Sequence, residues 1–442
     1  MISRRLTVVC SFFLCIVLLA GSGVSALQKS ASVRTADKAG LDATEEVLKR
    51  VSLLRGLDVK SPIHSSARTK DEIEKFIIRD LDESTTPAEF AATTKFMIKL
   101  GLVSSDFALR EYMIKLLREQ VAGFYDPKTK EFYLAAWLPI SEQKKVIAHE
   151  LVHALQDQHF NLRRFDKWPK GDSDAELAVH ALIEGDATML MIQYDLQEQG
   201  IKLDVINATS LTDTMLSENT EDDSKLYPVL AAAPRVLRET LQFPYVYGAG
   251  FVQALCRARA HEGLNRSFSN LPESTEQIMH PDHFLLHDEP IKVEIPELGA
   301  ALGADWKCID QDVNGEFGYL VLLSQFVPKG LARTAAEGWG GDRYLLYENA
   351  KTGALLVAQF TTWDTEADAR EFFDAYSRRM EARYKLSGAE PETKPPLYKT
   401  NEGLASLELR GKDVAVIEGA SSASELQSLF VALWQSKKMK RH

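Results

Sequence analysis

Two histidines stand four positions apart, with a glutamate directly after the first, in the order His149, Glu150, Leu151, Val152, His153. Four residues advance an α-helix by about 400°, so both imidazoles project from one face and can bind one metal ion. Glu150 lies about 100° further round the helix, where its carboxylate can reach a water molecule on that ion. This is the HExxH arrangement of zinc hydrolases, in which the glutamate is the general base.

The residues around this motif predict a helix over residues 146–156. Ile147, Leu151 and Leu155 form an apolar stripe at helical spacing. A buried helix that carries three ionisable groups is energetically costly without a metal. The sequence therefore predicts a zinc site, with Glu150 as the general base.

A catalytic zinc usually has three protein ligands and one position for water. Three downstream residues compete for the third place: His159, Glu176 and Glu184. His159 has the spacing of the HExxHxxGxxH pattern, but Gln156 stands where that pattern has glycine, and a glutamine adopts the required turn reluctantly. We expect His159 to lie at the helix end, where it complements the terminal carbonyls.

The two glutamates lie on a second predicted helix, over residues 174–198. Ser173 and Glu176 match the capping box S-x-x-E, which gives Glu176 a structural role. Glu184 lies in the middle of the helix, where a carboxylate needs a partner. Gly185 is unfavourable inside a helix, which indicates that another backbone, such as the HExxH helix, passes close by.

Both predicted helices resemble those of the gluzincins, the thermolysin-like superfamily of zinc peptidases. The segment HELVHALQD at residues 149–157 is similar to HELTHAVTD of thermolysin. The segment LIEGDA at residues 182–187 resembles the NEGFA-type segment of zinc aminopeptidases. The resemblance covers roughly residues 118–285, about the length of one domain.

This resemblance implies a zinc-dependent peptidase and a set of site residues. By it the metal ligands are His149, His153 and Glu184, and Glu150 is the general base. Glu150 takes a proton from the attacking water and passes it to the leaving amine of the peptide. The implied substrate is a peptide or a protein.

The sequence departs from the family pattern at three points. Ile183 replaces the asparagine, Thr188 stands where thermolysin-like enzymes have an aspartate, and the aminopeptidase element GxMEN is absent. Aminopeptidase specificity is therefore not implied. The carboxylate that orients a ligating histidine must come from elsewhere. Asp186 and Asp157 are the candidates, and we favour Asp186.

Most such enzymes also use a tyrosine or histidine donor to stabilise the oxyanion. The segment FPYVYGAGF at residues 243–251 offers Tyr245 and Tyr247. We choose Tyr247 as this catalytic residue, although both tyrosines also fit half-buried aromatic anchors with polar tips. Weaker candidates, which also fit surface or capping roles, are His261, His280 and His283.

Residues 121–136 predict a β-hairpin that turns at residues 127–130. In zincins such a strand lies beside the active-site helix. Its edge can align an extended peptide through main-chain hydrogen bonds. The same signals are found in any hairpin.

Residues 1–26 have the pattern of a secretory signal peptide: two arginines, an apolar run and a small-residue end. We therefore predict an exported protein, periplasmic or extracellular. No charged residue stands between Arg5 and Lys29, so an uncleaved membrane anchor formed by residues 6–26 is the alternative.

The chain carries a net charge of -11, which becomes more negative when Arg4 and Arg5 leave with the signal peptide. This acidic balance argues against nucleic acid as a partner. Cys256 and Cys308 remain after cleavage. They fit either a disulfide or two free buried thiols.

We expect an α+β fold in two domains. Residues 27–66 are polar and poorly periodic and predict a flexible segment. Residues 67–289 predict a mostly helical, zincin-like metallopeptidase domain with a small β-sheet. Residues 290–442 predict a smaller α+β C-terminal domain of unknown role, because strand and helix patterns alternate there. Its predicted strands are residues 343–348, 355–362, 404–409 and 414–418, and its predicted helices are residues 366–384 and 424–437.

Two other functions fit the same residues. One is a catalytically inactive zincin fold that serves as a binding or scaffolding protein. The other is a purely structural zinc site, which needs a fourth protein ligand such as His159. The presence of Glu150 beside both histidines favours catalysis.

Overall fold

The structure is a computed structural model, and it describes residues 33–135, 140–167, 171–217, 227–386 and 396–439. The signal peptide predicted for residues 1–26 lies outside these ranges. No helix in these ranges combines the length and the apolar character that crossing a bilayer requires. Cys256 is a buried free thiol and Cys308 an exposed one, so they do not form a disulfide.

The first part of the chain is mostly helical. Its first six helices are α1 (Val33–Arg55), α2 (Lys70–Ser84), α3 (Pro87–Lys99), α4 (Leu109–Gln120), α5 (Ile140–Phe160) and α6 (Ser173–Glu198). A 3-10 helix lies at Leu162–Lys167, between α5 and α6. They are followed by α7 (Leu211–Ser217), α8 (Pro228–Ala231), α9 (Arg235–Ser267), α10 (Thr275–Met279) and α11 (Pro281–Leu285). Capping boxes at Thr69 and Thr86 fix the starts of α2 and α3.

A three-stranded sheet lies beside α5. Its strands are β1 (His64–Arg68), β2 (Gly123–Asp126) and β3 (Glu131–Ala135), in the order β1-β3-β2. The antiparallel pair β2 and β3 confirms the predicted hairpin. The parallel pairing of β1 with β3 was not predicted.

The rest of the chain forms a six-stranded antiparallel sheet with helices packed on it. Its elements are β4 (Lys292–Glu294), α12 (Gly299–Leu302), β5 (Trp306–Asp312), α13 (Gly315–Ser324), α14 (Lys329–Ala336), β6 (Trp339–Asn349), β7 (Leu355–Trp363), α15 (Glu366–Tyr384), β8 (Leu397–Thr400), β9 (Gly403–Arg410), β10 (Asp413–Ala420), α16 (Ala423–Leu433) and β11 (Lys437–Met439). The order of the large sheet is β5-β6-β7-β10-β9-β8, and the other two strands, β4 and β11, pair in a separate two-stranded sheet. Every strand and helix that the sequence predicts in this part is present, but the last helix ends at Leu433 and not at residue 437.

The chain is therefore a mostly helical α+β protein with small sheets, as predicted. The largest apolar core contains residues from both sides of the predicted boundary at 289/290. The rings of Phe96 and Tyr344, for example, stack with their centroids 4.0 Å apart. The division into two domains stays a prediction.

The expected flexible segment over residues 27–66 differs from the structure, which has α1 and the start of β1 within it. Val47 and Val51 of α1 are buried in one apolar cluster with Ile147 and Leu151 of α5. This pair of valines at i, i+4 spacing gives α1 an apolar face, which the polar average of the segment obscures.

Helix α6 is the central helix, because every residue from 173 to 192 is buried. The predicted capping box at its start is wrong. Asp172 is the N-cap, and its side chain accepts a hydrogen bond from the Ala175 N–H. Ser173 instead donates to Asp312 on β5, and this pairing across the fold moves the cap back by one residue.

Gly185 does mark a close approach of another backbone, but the partner is α9 and not the HExxH helix. A Cβ at Gly185 would overlap the carbonyl group of Gly248. A Cβ at Gly248 would overlap the carbonyl oxygen of Ala181. The crossing of α6 and α9 therefore requires glycine on both helices.

We predict that Gly185→Ala destabilises the protein by at least about 2 kcal/mol, because the added methyl group meets backbone that cannot rotate away. Denaturant unfolding of the purified variant measures this loss. Gly330→Ala on α14 is the matched control, since its Cβ meets no heavy atom within 4 Å. The control should be neutral or gain up to about 1 kcal/mol. Equal unfolding midpoints for Gly185→Ala and wild type would contradict this account of the crossing.

Candidate metal centre

Helix α5, which carries the two motif histidines, is buried on two sides. Its apolar stripe, which includes Ile147 and Leu151, packs into the cluster that contains α1 and the small sheet. His149 and His153 project about 200° away from that stripe, towards α6. The helix is therefore fixed by apolar packing on one side, and its histidines face another buried helix.

The structure brings the three predicted ligands together. His149 Nε2 lies 3.1 Å from Glu184 Oε2, and His153 Nε2 lies 3.4 Å from the same oxygen. The two Nε2 atoms are 3.1 Å apart. One ligand atom from each residue fits within 4.8 Å of the others, and all three residues are buried. In the described part of the chain this is the one group of histidine, cysteine and carboxylate side chains with metal-binding geometry.

The electrostatics of this group follow from burying a carboxylate between two imidazoles. Burial by itself would lower the pKa of His153, but Glu184, with smaller effects of Glu150 and Gln156, outweighs it and raises this pKa to about 9. Burial would raise the pKa of Glu184, but His153 and His149 hold it below its ordinary value. The Glu184 carboxylate and the imidazoles therefore stabilise each other's charged forms.

Glu150 is buried beside this group and bonded to the small sheet. Its Oε2 accepts a hydrogen bond of 2.7 Å from the Tyr125 N–H on β2. Burial raises the pKa of Glu150, against the opposing effect of the two histidines. The outer edge of β2 is thus occupied at Tyr125, where the sequence suggests that a peptide strand can pair.

The prediction that a carboxylate directly orients a ligating histidine is wrong, because the amide of Gln156 lies between Asp186 and His153. Gln156 Oε1 lies 2.9 Å from His153 Nδ1. Gln156 Nε2 donates to Asp186 Oδ2 at 2.9 Å and to the Ile183 carbonyl at 3.0 Å. Gln156 therefore lies between His153 and Asp186, and Asp186 is connected to the histidine only through this amide.

Asp157, the other candidate, also contacts no ligating histidine. Its Oδ2 accepts a hydrogen bond from the Tyr125 hydroxyl at 3.1 Å, and its Oδ1 accepts one from the Leu162 N–H at 2.9 Å. It fixes β2 and the end of α5 instead.

The two rejected ligand candidates lie outside the group. His159 Nε2 lies 2.8 Å from the Asp58 carbonyl oxygen, at the end of α5. Glu176 is buried two turns before Glu184 on α6, and it is not part of the metal-binding group.

The structure places Tyr245, and not Tyr247, beside the metal group. The Tyr245 ring is 2% exposed, and its centroid lies 6.2 Å from that of His149. The Tyr247 ring instead packs on Phe243 and Phe317, with centroids 5.0 Å and 6.0 Å away. The two tyrosines differ by about 200° around α9, so only one of them can face α5.

The other candidate histidines lie outside the group, and His280 and His283 have partners elsewhere. His280 Nε2 lies 2.9 Å from Glu316 Oε1, and His283 Nδ1 lies 3.4 Å from Asp288 Oδ2. His261 on α9 is half-buried, and burial lowers its pKa. None of the three belongs to the metal-binding group.

Sequence reasoning missed three residues that the structure places around the group. Gln156 contacts His153, and Arg55 forms an ion pair with Asp186. His180 is buried one turn before Glu184, and burial lowers its pKa to about 4, so it is neutral. Its i, i+4 spacing to Glu184 is the signal that could have indicated it.

Comparison with known protein families gives a match over part of the chain. Residues 307–429 match a family described as a domain of unknown function, DUF8575. The matched residues run from β5 to α16 and do not include the metal-binding group. No curated protein and no solved structure matches the chain.

We predict that Glu184→Ala weakens zinc binding by more than about 100-fold, because losing a residue that only orients a ligand already costs about 10-fold to 100-fold. Competition with a chromophoric chelator at neutral pH measures the affinity. His159→Ala is the control and should bind zinc as wild type does, since its imidazole contacts Asp58 instead of the group. Wild-type affinity in Glu184→Ala would exclude this carboxylate as a ligand.

Proposed function

We propose that the protein is a zinc-dependent metallopeptidase. His149, His153 and Glu184 hold the ion, and Glu150 is the general base. The observation that carries the proposal is the convergence of two imidazole nitrogens on one buried carboxylate oxygen, with one ligand atom from each residue within 4.8 Å of the others. The resemblance of both ligand-bearing helices to gluzincins supports the same assignment.

The donor atoms fit zinc. Two imidazole nitrogens and one carboxylate oxygen form a known ligand set of catalytic zinc, which leaves a fourth position for water. The Glu184 side chain is 2% exposed, and a carboxylate so deeply buried requires a cation or a proton. A bound zinc ion supplies Lewis-acid polarisation of the scissile carbonyl and lowers the pKa of a water molecule.

Glu150 is suited to the role of base. The Tyr125 N–H holds its Oε2, which fixes the carboxylate and leaves Oε1 to take a proton from the attacking water. Burial raises its pKa, so it accepts that proton more readily than an exposed glutamate. The protonated side chain then passes the proton to the leaving amine.

Tyr245 is the residue that we assign to the oxyanion, in place of Tyr247. Its ring lies against His149, within the buried region that contains the metal group. A phenol hydroxyl is a suitable donor to a developing negative charge in such a dry environment. This assignment rests on proximity to His149.

One observation favours the alternative of an inactive zincin fold that serves as a binding or scaffolding protein. The side chains of His149 and Glu184 are 1% and 2% exposed, and that of His153 is 8% exposed. A peptide can therefore reach the group only from the side of His153 or after a local opening. The activity measurement below distinguishes the two functions.

We also propose that the protein acts outside the cytoplasm, either free or anchored by an uncleaved N-terminal segment. This proposal rests on the sequence of residues 1–26. The negative net charge supports a peptide or protein substrate over a nucleic acid.

We predict that Glu150→Gln keeps one zinc ion per chain and lowers peptide cleavage by about 100-fold to 10,000-fold, the usual contribution of a general base. Metal analysis and cleavage of a mixed peptide library measure the two quantities. Glu198→Gln is the control, because Glu198 lies on the same helix as Glu184 but pairs with Arg50 and Lys144 at the surface. A zinc-loaded wild type that cleaves no peptide in the library would favour the scaffolding function. Undiminished cleavage by Glu150→Gln would exclude Glu150 as the base.

We predict that Tyr245→Phe lowers kcat by about 100-fold and leaves KM nearly unchanged, because an oxyanion donor acts mainly in the transition state. Steady-state kinetics on a cleaved library peptide measure both parameters. Tyr247→Phe removes the same hydroxyl two residues away and should keep the wild-type kcat. The reverse order of effects would restore Tyr247 as the donor.

A further inference from the structure

Arg55, at the end of α1, is buried to an unusual degree for an arginine. The side chains of Arg55 and Asp186 are both 0% exposed, and they form an ion pair. Arg55 Nε donates to Asp186 Oδ1 at 2.7 Å and to Oδ2 at 2.9 Å. A fully buried arginine is costly, so a pair of this kind is retained where it fixes something specific.

The ion pair continues to a metal ligand through one amide. The Gln156 NH2 group donates to Asp186 Oδ2 and to the Ile183 carbonyl, and this fixes the direction of the amide. Its carbonyl oxygen then faces His153 Nδ1 at 2.9 Å. A flipped amide would place its oxygen against the Asp186 carboxylate, which is electrostatically unfavourable.

The direction of this amide decides which nitrogen of His153 carries the proton. A carbonyl oxygen accepts only from a protonated Nδ1, so a neutral His153 keeps its proton on Nδ1 and leaves the Nε2 lone pair for a metal ion. That is the tautomer in which Nε2 can bind a metal ion. With the amide flipped, the NH2 group would favour the other tautomer, and Nε2 would carry a proton.

The groups around the ion pair leave Arg55 as the cation that balances Asp186. From α9, Cys256 and His261 lie close enough for the two charges to affect their pKa values. Burial raises the pKa of Cys256 to about 12 and lowers that of His261, so both are neutral. Arg55 Nη1 and Nη2 are buried and form no hydrogen bond within the described residues.

Helix α1 is also fixed to the helix that carries the histidines. The chain after Arg55 is held by Gln158, whose Oε1 accepts from the N–H groups of Lys60 at 2.7 Å and Ser61 at 3.2 Å. His159 contacts the Asp58 carbonyl oxygen in the same loop. These contacts follow Arg55 in the chain, and Val47 and Val51, which pack against α5, precede it. Together they define the position of Arg55 relative to α5.

We propose that Arg55 is a positioning residue of the metal centre. It holds Asp186, which orients Gln156, which keeps His153 in the tautomer that binds metal. Helix α1, which bears no ligand, thus completes the centre. This inference rests on the metal site of the proposed function and is independent of peptidase activity.

The test is the zinc affinity of Arg55→Met, which replaces the guanidinium by an uncharged side chain of similar length. We expect binding to weaken by about 10-fold to 100-fold, the usual effect of losing a residue that orients a metal ligand. Arg50→Met is the matched control. Arg50 lies on the same helix and pairs with Glu198 of α6, but it has no route to a ligand, so its zinc affinity should stay at the wild-type value.

A second variant separates positioning from folding, because Arg55→Met leaves Asp186 buried without its cation. Arg55→Met combined with Asp186→Leu removes both charges, and such exchanges are often neutral for stability. We expect the metal-free double variant to melt at a higher temperature than Arg55→Met. Its zinc affinity should nevertheless stay at least about 10-fold below wild type, since Gln156 has lost its orienting carboxylate.

Each outcome decides one statement. If wild type binds no zinc, the metal site of the proposed function is refuted. If wild type binds zinc and Arg55→Met binds it equally well, the positioning role is refuted and the metal site stands. If the double variant regains zinc affinity together with thermal stability, Arg55 serves folding only and the inference is overturned.

Discussion

The structure depends on how the charges of one buried helix are balanced. Every residue of α6 from 173 to 192 is buried, although four carboxylates, those of Asp174, Glu176, Glu184 and Asp186, lie within this stretch. Each carboxylate needs its own compensation, because ionised groups in an apolar interior are costly. Asp174 accepts hydrogen bonds from Thr275, and burial raises its pKa to about 8. Glu184 has the two imidazoles of α5, and Asp186 has Arg55 of α1. The partners of α6 are thus drawn from distant parts of the chain, and these polar contacts determine where those parts pack.

The crossing of α6 with α9 adds a steric constraint to this charge balance. Gly185 and Gly248 let the two backbones meet, and the contact fixes the rotation of α9 about its own axis. Tyr245 lies nearly one turn before Gly248 and so faces the same side, against His149. Tyr247 is rotated out of this interface and packs on Phe317. Small residues at one crossing therefore select which aromatic side chain enters the buried region around the metal group.

Features of the fold could be predicted from the sequence where the signal lies within one short segment. Spacing within α5 and α6 predicted both helices, and period-two patterns predicted the hairpin and the strands of the large sheet. The resemblance to gluzincins predicted that Glu184 joins His149 and His153. Features that depend on rotation or on long-range pairing were missed. Choosing between two tyrosines on α9 requires knowing which face meets α6. Arg55 lies 131 positions from Asp186, and nothing in the local sequence of either residue indicates the other. The prediction of the N-cap of α6 failed for the same reason, since Ser173 donates a hydrogen bond to Asp312, which is distant in the sequence.

Charge balance also explains why α1, which lies in the segment expected to be flexible, belongs to the core. A polar segment gains little from apolar burial, and α1 contributes only a narrow apolar face that includes Val47 and Val51. Its further contribution is electrostatic, because Asp186 would otherwise be a buried anion without a cation. Composition averages over the segment and so hides a single arginine at its end. For a chain with buried carboxylates on a central helix, the search for partners must therefore include segments whose average character is that of a flexible linker, since one buried cation is enough to fix them.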